Sequence, residues 1–172
     1  MKHAILNPAL LVVLATVFGG CATGYSWRPS VPAEMRTVTV PTFRNESNVS
    51  EIGAVASRQL LREFQREGTF RICSADEAAI EVQGAIKSVS SSTTAYDRRS
   101  HGRTAAYGLS ATAEVSVIDR RGGKVLVDNR KYTANTTFTA GQDRTTAVRD
   151  ASGRLMDDLS RQIVDDILNL KW

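Results

Sequence analysis

The feature that most constrains the fold is a stretch of strict alternation between residues 107 and 117. Every second position there is apolar, and the positions between them are small or polar. A period of two is that of a β-strand with one buried face. The pattern resumes over 125–138, after a hairpin turn at 119–124. These two segments predict a pair of long antiparallel strands whose apolar side needs a covering layer.

A third strand precedes this pair. Residues 80–86 alternate in the same way, and 90–94 could extend the strand beyond the covered part of the sheet. Val89 falls out of phase with the residues before it. The break predicts a β-bulge, one extra residue in the strand, near Lys87–Ser88.

An amphipathic helix is predicted over residues 51–67. Apolar residues between Ile52 and Phe64 recur at spacings of three and four, which is the period of a helix with one buried face. Ser50 is the expected N-cap, and Gly68 suits the position just after the helix end.

A second helix is predicted at the end of the sequence. Its apolar residues recur at helical spacing from Val148 to Leu170, and Asp143 can cap its start. Gly153 lies inside it, where glycine costs about 1 kcal/mol relative to alanine. We therefore expect a close helix contact at Gly153.

Two short apolar segments flank the first helix, at 36–40 and 70–73, and the intervening helix makes them parallel neighbours. Pro41 ends the first of them, and residues 42–47 are expected to turn away from the sheet. The order of elements is then β-α-β-β-β-β-α. It predicts an α+β two-layer sandwich, with two helices on one face of a mixed four- to five-stranded sheet.

The amino terminus has the form of an export signal. Lys2 precedes an uncharged apolar run at 4–18, which Gly19, Gly20 and Cys21 follow. A run of about 15 residues suits a secretory leader and is short for a membrane-spanning helix. A cysteine directly after small residues is typical of bacterial lipoprotein signals, in which it is acylated and becomes residue one. An ordinary secreted protein with a cysteine near its start is the alternative.

These signals divide the chain into a signal peptide at 1–20, an acylated amino terminus and tether at 21–36, and one domain at 37–172. The tether spans at most about 50 Å, at roughly 3.3–3.6 Å per residue. The lipid anchor would therefore hold the domain near the membrane. The expected attachment is a covalent N-acyl diacylglycerol on Cys21, with no other cofactor.

Composition favours no enzyme class. A formal charge of +4 permits an anionic partner but does not indicate nucleic acid. His101 is the one histidine outside the leader, and no cluster has catalytic or metal-ligand spacing. Cys73 has no partner if Cys21 is acylated, and we interpret it as a small buried hydrophobe rather than a reactive thiol. We predict no catalytic residue and no metal site.

Three basic groups are candidates for binding anions. The first is a loop and is the main candidate for lipopolysaccharide: Arg98, Arg99 and Arg103. The second is the hairpin turn: Arg120, Arg121 and Lys124. The third is a stripe on the first helix: Arg58, Arg62 and Arg66. The two turns lie at opposite ends of one strand and cannot form a single patch. Arginine suits phosphate, but a solvated surface is the alternative for each group.

The order of motifs resembles the lipopolysaccharide-assembly lipoprotein family, LptE. Residues 21–28 (CATGYSWR) are similar to the lipidated start of that family, and 36–45 (RTVTVPTFRN) to its first strand. The helix containing 60–64 (LLREF) is also similar. The resemblance covers nearly all of the expected mature chain, although no motif of the family aligns with the 98–103 loop.

The resemblance implies a non-enzymatic protein attached to the periplasmic side of the outer membrane. Members plug and help assemble the β-barrel LptD, and they assist the transport of lipopolysaccharide to the cell surface. Ala22 after the cysteine, rather than Asp, agrees with sorting to the outer membrane. An activator of a peptidoglycan synthase is the alternative function. An envelope hydrolase would need catalytic residues that the sequence does not offer.

Overall fold

The computed structural model describes residues 31–96, 104–139 and 144–172. After a 3₁₀ turn at Ala33–Met35, the elements are β1 (Thr37–Thr39), β2 (Arg44–Asn45), α1 (Ile52–Glu67), β3 (Arg71–Ile72), β4 (Ile80–Tyr96), β5 (Thr104–Asp119), β6 (Val125–Phe138) and α2 (Arg144–Leu168). The predicted leader, most of the tether, the 98–103 loop and the cap at Asp143 lie outside the described residues.

The strands form one mixed sheet in the order β3-β1-β4-β5-β6, and β2 pairs with β4 beside β1. β1 is parallel to β3 and β4, whereas β4, β5 and β6 form an antiparallel meander. Both helices pack on one face of this sheet. The predicted α+β class is confirmed, with one short strand, β2, beyond those expected.

That extra strand corrects the expectation that residues 42–47 turn away. Arg44 and Asn45 pair in parallel with Ala85 and Ile86. The reason lies in Phe43, which is 3% exposed. Its backbone N–H donates to Ser57 Oγ at 2.8 Å, and its ring covers Gly84. Burial of this ring draws the segment back onto the sheet.

The start of α1 also differs from the prediction. Glu51, not Ser50, is the N-cap, with φ at 60° and no side-chain cap bond. The loop before it is closed instead by Asn45, whose Oδ1 accepts the Ser47 N–H and whose Nδ2 donates to the Val49 carbonyl. The predicted end is confirmed, because Gly68 has φ at 83° and its N–H donates to the Phe64 carbonyl.

The predicted bulge in β4 is confirmed. The pairing of β4 with β5 shifts between Ile86 and Ser88, and the strand then continues to Tyr96. At the other end of β5, the Asp119 N–H donates to the Lys124 carbonyl at 2.8 Å. The Asp119 carboxylate accepts the N–H groups of Arg121 and Gly122, which closes the turn.

The core lies between the helices and the covered face of the sheet. Its fully buried side chains include Leu60 and Phe64 from α1, Leu155 from α2, and Val82 and Val115 from the sheet. The expected close contact at Gly153 is wrong, since a Cβ built there meets nothing within 4 Å. No contact among the described residues accounts for this glycine.

The chain enters the domain at the end that carries the β5–β6 hairpin. Val31 is 2% exposed, and its carbonyl accepts a hydrogen bond from Arg36 Nε at 3.0 Å. Ala79 joins this entry to the hairpin: its N–H donates to the Thr37 carbonyl, and its own carbonyl accepts the Arg120 N–H. Residues 31–36 therefore pack against the domain.

Candidate functional site

The face of the sheet opposite the helices presents strand side chains to solvent. We call it the helix-free face. Alternation in β5 sends Val115 and Val117 to the core and Glu114 and Ser116 to this face. It divides into a charged half near the hairpin and an uncharged half near the other strand ends.

Four alternating charges cross the charged half: Glu46, Lys87, Glu114 and Lys131. Lys87 is the extra residue of the bulge, and its Nζ contacts Glu46 Oε2 and lies 3.7 Å from Glu114 Oε2. Lys131 Nζ lies 3.7 Å from Glu114 Oε1. The hydrogen bond between Lys87 and Glu46 raises the pKa of Lys87 and lowers that of Glu46. Because Glu46, Lys87 and Lys131 are exposed and Glu114 is only half-buried, the row contributes little to stability.

A second charged contact holds the hairpin to β4. Arg120 Nη1 donates to Glu81 Oε2, and Gln83 Nε2 donates to Glu81 Oε1 at 2.8 Å. The Gln83 hydrogen bond, opposed by partial burial and aided by Arg120, lowers the pKa of Glu81. Arg120 is therefore a structural group of the turn.

The uncharged half is a regular array of eight small polar residues and one glycine, which we call the hydroxyl array. Strand register places them in three rows across β4, β5 and β6: Ser88, Thr112 and Thr133; then Ser90, Ser110 and Asn135; then Ser92, Gly108 and Thr137. The six from β4 and β6 are exposed, and the three from β5 are half-buried.

A depression of about 430 Å³ lies within the array. Ser90, Ser92, Ser110, Asn135 and Thr137 line it, and Gly108 forms part of its floor. Gly108 has no side chain to occupy the space between Ser92 and Thr137, its neighbours in the row. The depression therefore offers hydroxyl and amide groups and no charge.

The basic stripe on α1 lies on the exposed side of that helix. Arg58, Arg62 and Arg66 are all exposed, and Arg66 pairs with Glu63. The Glu63 hydrogen bond raises the pKa of Arg66. Glu67, at the end of the same helix, accepts the N–H and hydroxyl of Thr69. The stripe therefore lies on a solvent-exposed helix face.

The hairpin leaves two exposed cations. Arg121 and Lys124 have no carboxylate partner among residues 31–96, 104–139 and 144–172. The ends of β5, at Thr104 and Asp119, are about 50 Å apart at ~3.4 Å per residue. The prediction that the hairpin and the 98–103 loop form no joint patch involves residues outside the described ranges. Cys21, Arg98, Arg99 and Arg103 lie outside the described residues.

Asp166 on α2 joins that helix to β6. Its carboxylate accepts hydrogen bonds from Arg130 Nη1 at 2.5 Å and from the Tyr132 hydroxyl at 2.6 Å. Burial, followed by the Asp166 hydrogen bond, raises the pKa of Tyr132. The hydroxyl therefore stays protonated, and the group holds the helix to the strand.

Among the residues that the structure describes, the remaining side chains suited to nucleophilic or metal chemistry form no cluster. Cys73 is a free thiol and half-buried, with Sγ 3.9 Å from the Val38 carbonyl oxygen. The described ranges contain no group of three or more side chains able to hold a metal ion. No helix within those ranges is both long and apolar enough to cross a membrane.

Sequence reasoning missed the hydroxyl array, although its signal was present. The bulge at Lys87 reverses the phase of β4, so that Ser88, Ser90 and Ser92 point away from the core. The positions between the apolar residues of β5 and β6 are equally small and polar. Only the register between strands brings the three sets together.

A family model described as LptE, lipopolysaccharide-assembly, matches residues 35–169, about four fifths of the chain. Among curated proteins none matches the sequence.

Solved structures share the fold at low identity. A hypothetical protein from Chlamydia trachomatis has a TM-score of 0.57 at 14% identity, covering 78% of this chain and 96% of its own. A protein from Xanthomonas campestris has a TM-score of 0.52 at 10% identity, covering 80% and 88%. Rare lipoprotein B from Shewanella oneidensis has a TM-score of 0.48 at 14% identity, covering 73% and 92%. At these identities the first two likenesses establish the fold alone, and the third carries no argument.

Proposed function

Since the chain belongs to the LptE lipopolysaccharide-assembly family, we propose that it is a non-enzymatic lipoprotein of the outer membrane, anchored through Cys21 on the periplasmic side. It plugs and helps assemble an LptD-type β-barrel and assists the transport of lipopolysaccharide to the cell surface. The observation that carries this proposal is the family match over residues 35–169, which spans both helices and the whole sheet.

The dimensions of the sheet support a plug. β4, β5 and β6 hold 17, 16 and 14 residues, which makes them about 45–55 Å long. The apolar band of an outer-membrane barrel is about 25 Å tall and its interior is polar. A domain of this length can extend through such a lumen.

The entry point of the chain supports the anchor. Because Val31 is already buried, Cys21 is ten residues from the domain, a distance of at most about 35 Å. An acyl group on Cys21 would therefore hold the hairpin end close to the membrane. Incorporation of labelled palmitate tests this attachment, and Cys21→Ala should abolish labelling and release a folded protein from the membrane fraction.

Affinity purification of the tagged, acylated protein tests the partner. We expect recovery of a large β-barrel in roughly equal amount, because a plug and its barrel form a one-to-one pair. Recovery of a peptidoglycan synthase without a barrel would overturn the proposal and favour the alternative function. Depletion should lower both the barrel level and surface lipopolysaccharide, whereas a cell-wall defect with normal lipopolysaccharide would contradict it.

Charge reversal tests lipopolysaccharide binding by the loop at 98–103. The variant carries Arg98→Glu, Arg99→Glu and Arg103→Glu, and the matched control carries Arg58→Glu, Arg62→Glu and Arg66→Glu on α1. Both change the net charge equally, so a nonspecific electrostatic effect would appear in each. We expect weaker binding only for the loop variant, most clearly at low salt, where exposed charges act most strongly. Equal binding by both variants would exclude the loop as the site.

A further inference from the structure

The hydroxyl array has hydrogen-bonding groups that the protein itself does not use. Among the described residues, the side chains of Ser90, Ser92, Ser110, Asn135 and Thr137 have no hydrogen-bond partner. The array's one internal contact joins the hydroxyls of Thr112 and Thr133 at 3.5 Å. Hydroxyl groups rotate to donate or accept, and the amide of Asn135 does both. The surface can therefore bind a ligand that also both donates and accepts.

The ligand should carry no charge at the contact. None of the nine residues of the array is charged, although charged residues make up 23% of the chain and about two would be expected in nine positions. The row formed by Glu46, Lys87, Glu114 and Lys131 pairs its charges internally at one border of the array. A phosphate or ammonium group would find no opposite charge in the depression.

The area of the array favours a small ligand over a protein partner. With rows about 7 Å apart and strands about 4.8 Å apart, the array covers roughly 300 Å². A stable protein interface buries about 800 Å² on each partner, so the array alone is too small for one. The depression of about 430 Å³ lies within the ~300–1,000 Å³ range of small-molecule sites.

We propose that the hydroxyl array binds a short run of uncharged sugar rings. Saccharide hydroxyls donate and accept as the array does, and a chain of rings can lie along the rows with one ring in the depression over Gly108. The proposal rests on the proposed function only for the source of the saccharide, the polysaccharide portion of lipopolysaccharide. Because binding exchanges hydrogen bonds with water for similar ones with the protein, the dissociation constant should be about 1 mM.

Calorimetric titration of the full acylated protein tests this binding, in an uncharged detergent that has no sugar headgroup. The two probes are dextran oligosaccharides and the uncharged polysaccharide cleaved from a smooth lipopolysaccharide. Gly108→Val fills the depression with a residue that strands favour. Gln83→Val is the matched control, because Gln83 is exposed on the same face but lies in the charged half. A second variant, Ser110→Ala with Asn135→Ala, removes hydrogen-bonding groups and leaves the strands intact.

We expect the unaltered protein and Gln83→Val to bind the cleaved polysaccharide with affinities within about twofold of each other. Gly108→Val and the double variant should bind at least about tenfold more weakly while keeping the same circular dichroism. Binding of both probes would indicate a general saccharide surface, and binding of the polysaccharide alone a specific one. Absence of binding by the unaltered protein, or an equal loss in Gln83→Val, overturns the proposal. If Gly108→Val does not fold, the double variant decides.

The barrel purification separates this proposal from the proposed function. Gly108→Val should still recover the barrel, because the array is a small part of the surface that a plug presents. If the unaltered protein recovers no barrel, the proposal that it plugs one is refuted. The dextran titration would still test whether the array binds saccharides. Normal recovery of the barrel without saccharide binding would refute only the proposal that the array binds saccharides.

Discussion

Replacing Gly53 and Gly153 by alanine should have opposite effects on stability, although both residues lie inside helices. Alanine is favoured over glycine in a helix interior by about 1 kcal/mol. At Gly153 a Cβ would meet nothing within 4 Å, so no clash opposes this gain. We expect Gly153→Ala to stabilise the domain by about 1 kcal/mol.

At Gly53 a Cβ would lie 2.2 Å from the carbonyl oxygen of Phe43 and 3.2 Å from its carbonyl carbon. That carbonyl cannot move away easily, because the Phe43 N–H is bonded to Ser57 Oγ and its ring packs on Gly84. Overpacking costs about 1–3 kcal/mol, and a contact this short belongs at the upper end. Gly53 lies in the first turn of α1, so the helix gain is at most about 1 kcal/mol, and the net loss for Gly53→Ala is about 2 kcal/mol or more.

Thermal and urea unfolding of the two variants measure both effects. For a domain of this size, 1 kcal/mol shifts the melting temperature by about 3–5 °C. Gly153→Ala should melt about 3–5 °C higher and Gly53→Ala about 6–10 °C lower, with unchanged urea m-values. A Gly53→Ala protein as stable as the unaltered chain would refute the close approach of Phe43 to α1. Destabilisation by Gly153→Ala would refute the open space on α2.

Four further substitutions test contacts in the core and at the surface. Ser57→Ala leaves a buried backbone N–H unpaired and should cost about 1–3 kcal/mol by urea unfolding. Ser160→Ala, which removes only a bond within its own helix, should cost clearly less. Asp166→Asn should cost about 1 kcal/mol, because the amide keeps one acceptor for Tyr132 but loses the charge. The pKa of Glu81 is lowered by folding, so its contribution is present above pH ~4.3 and lost below it. In urea unfolding below that pH, the free energy of unfolding of Glu81→Gln should accordingly fall less steeply than that of the unaltered protein.

The long elements could be predicted because their signals are local. Alternation over 107–117 and the helical spacing from 52 to 64 can each be recognised without knowledge of the rest of the chain. β2 could not be predicted in this way. Its position depends on Phe43 filling the space over Gly84 and bonding to Ser57, which are contacts between separate elements. Proline at 41 indicated a turn, and tertiary packing outweighed that local signal.

The candidate site was harder to predict because it depends on register. The bulge at Lys87 was predictable from the position of Val89, and it alone determines that Ser88, Ser90 and Ser92 point away from the core. Pairing those residues with Thr112 and Thr133 requires the alignment of three strands, which a single sequence does not define. The basic residues were conspicuous in the sequence, but Arg120 and Arg66 prove to be paired with nearby carboxylates.

The entry of the chain beside the hairpin leads to a last prediction, on orientation at a membrane. If Cys21 is acylated, Lys124 lies at the anchored end, and Thr139, just past the end of β6, lies at the opposite end of the sheet. The strands separate these ends by about 45–50 Å. Energy transfer from a dye at Lys124→Cys to a dye in the vesicle surface should therefore exceed that from Thr139→Cys, with Cys73→Ser in both proteins.

The size of that difference distinguishes two orientations of the sheet. A sheet standing upright on its anchor places Thr139 beyond efficient transfer, whereas a sheet lying flat gives equal transfer from both positions. Equal transfer would refute the upright orientation, and with it the argument that the sheet is long enough to extend through a barrel. In the upright orientation, the loop between β4 and β5 is attached about 50 Å from the anchored end. The apolar core of a bilayer is only about 30 Å thick. Arg98, Arg99 and Arg103 could then meet lipopolysaccharide only far from the anchoring leaflet. Their charge reversal should therefore leave the binding of phospholipid vesicles unchanged.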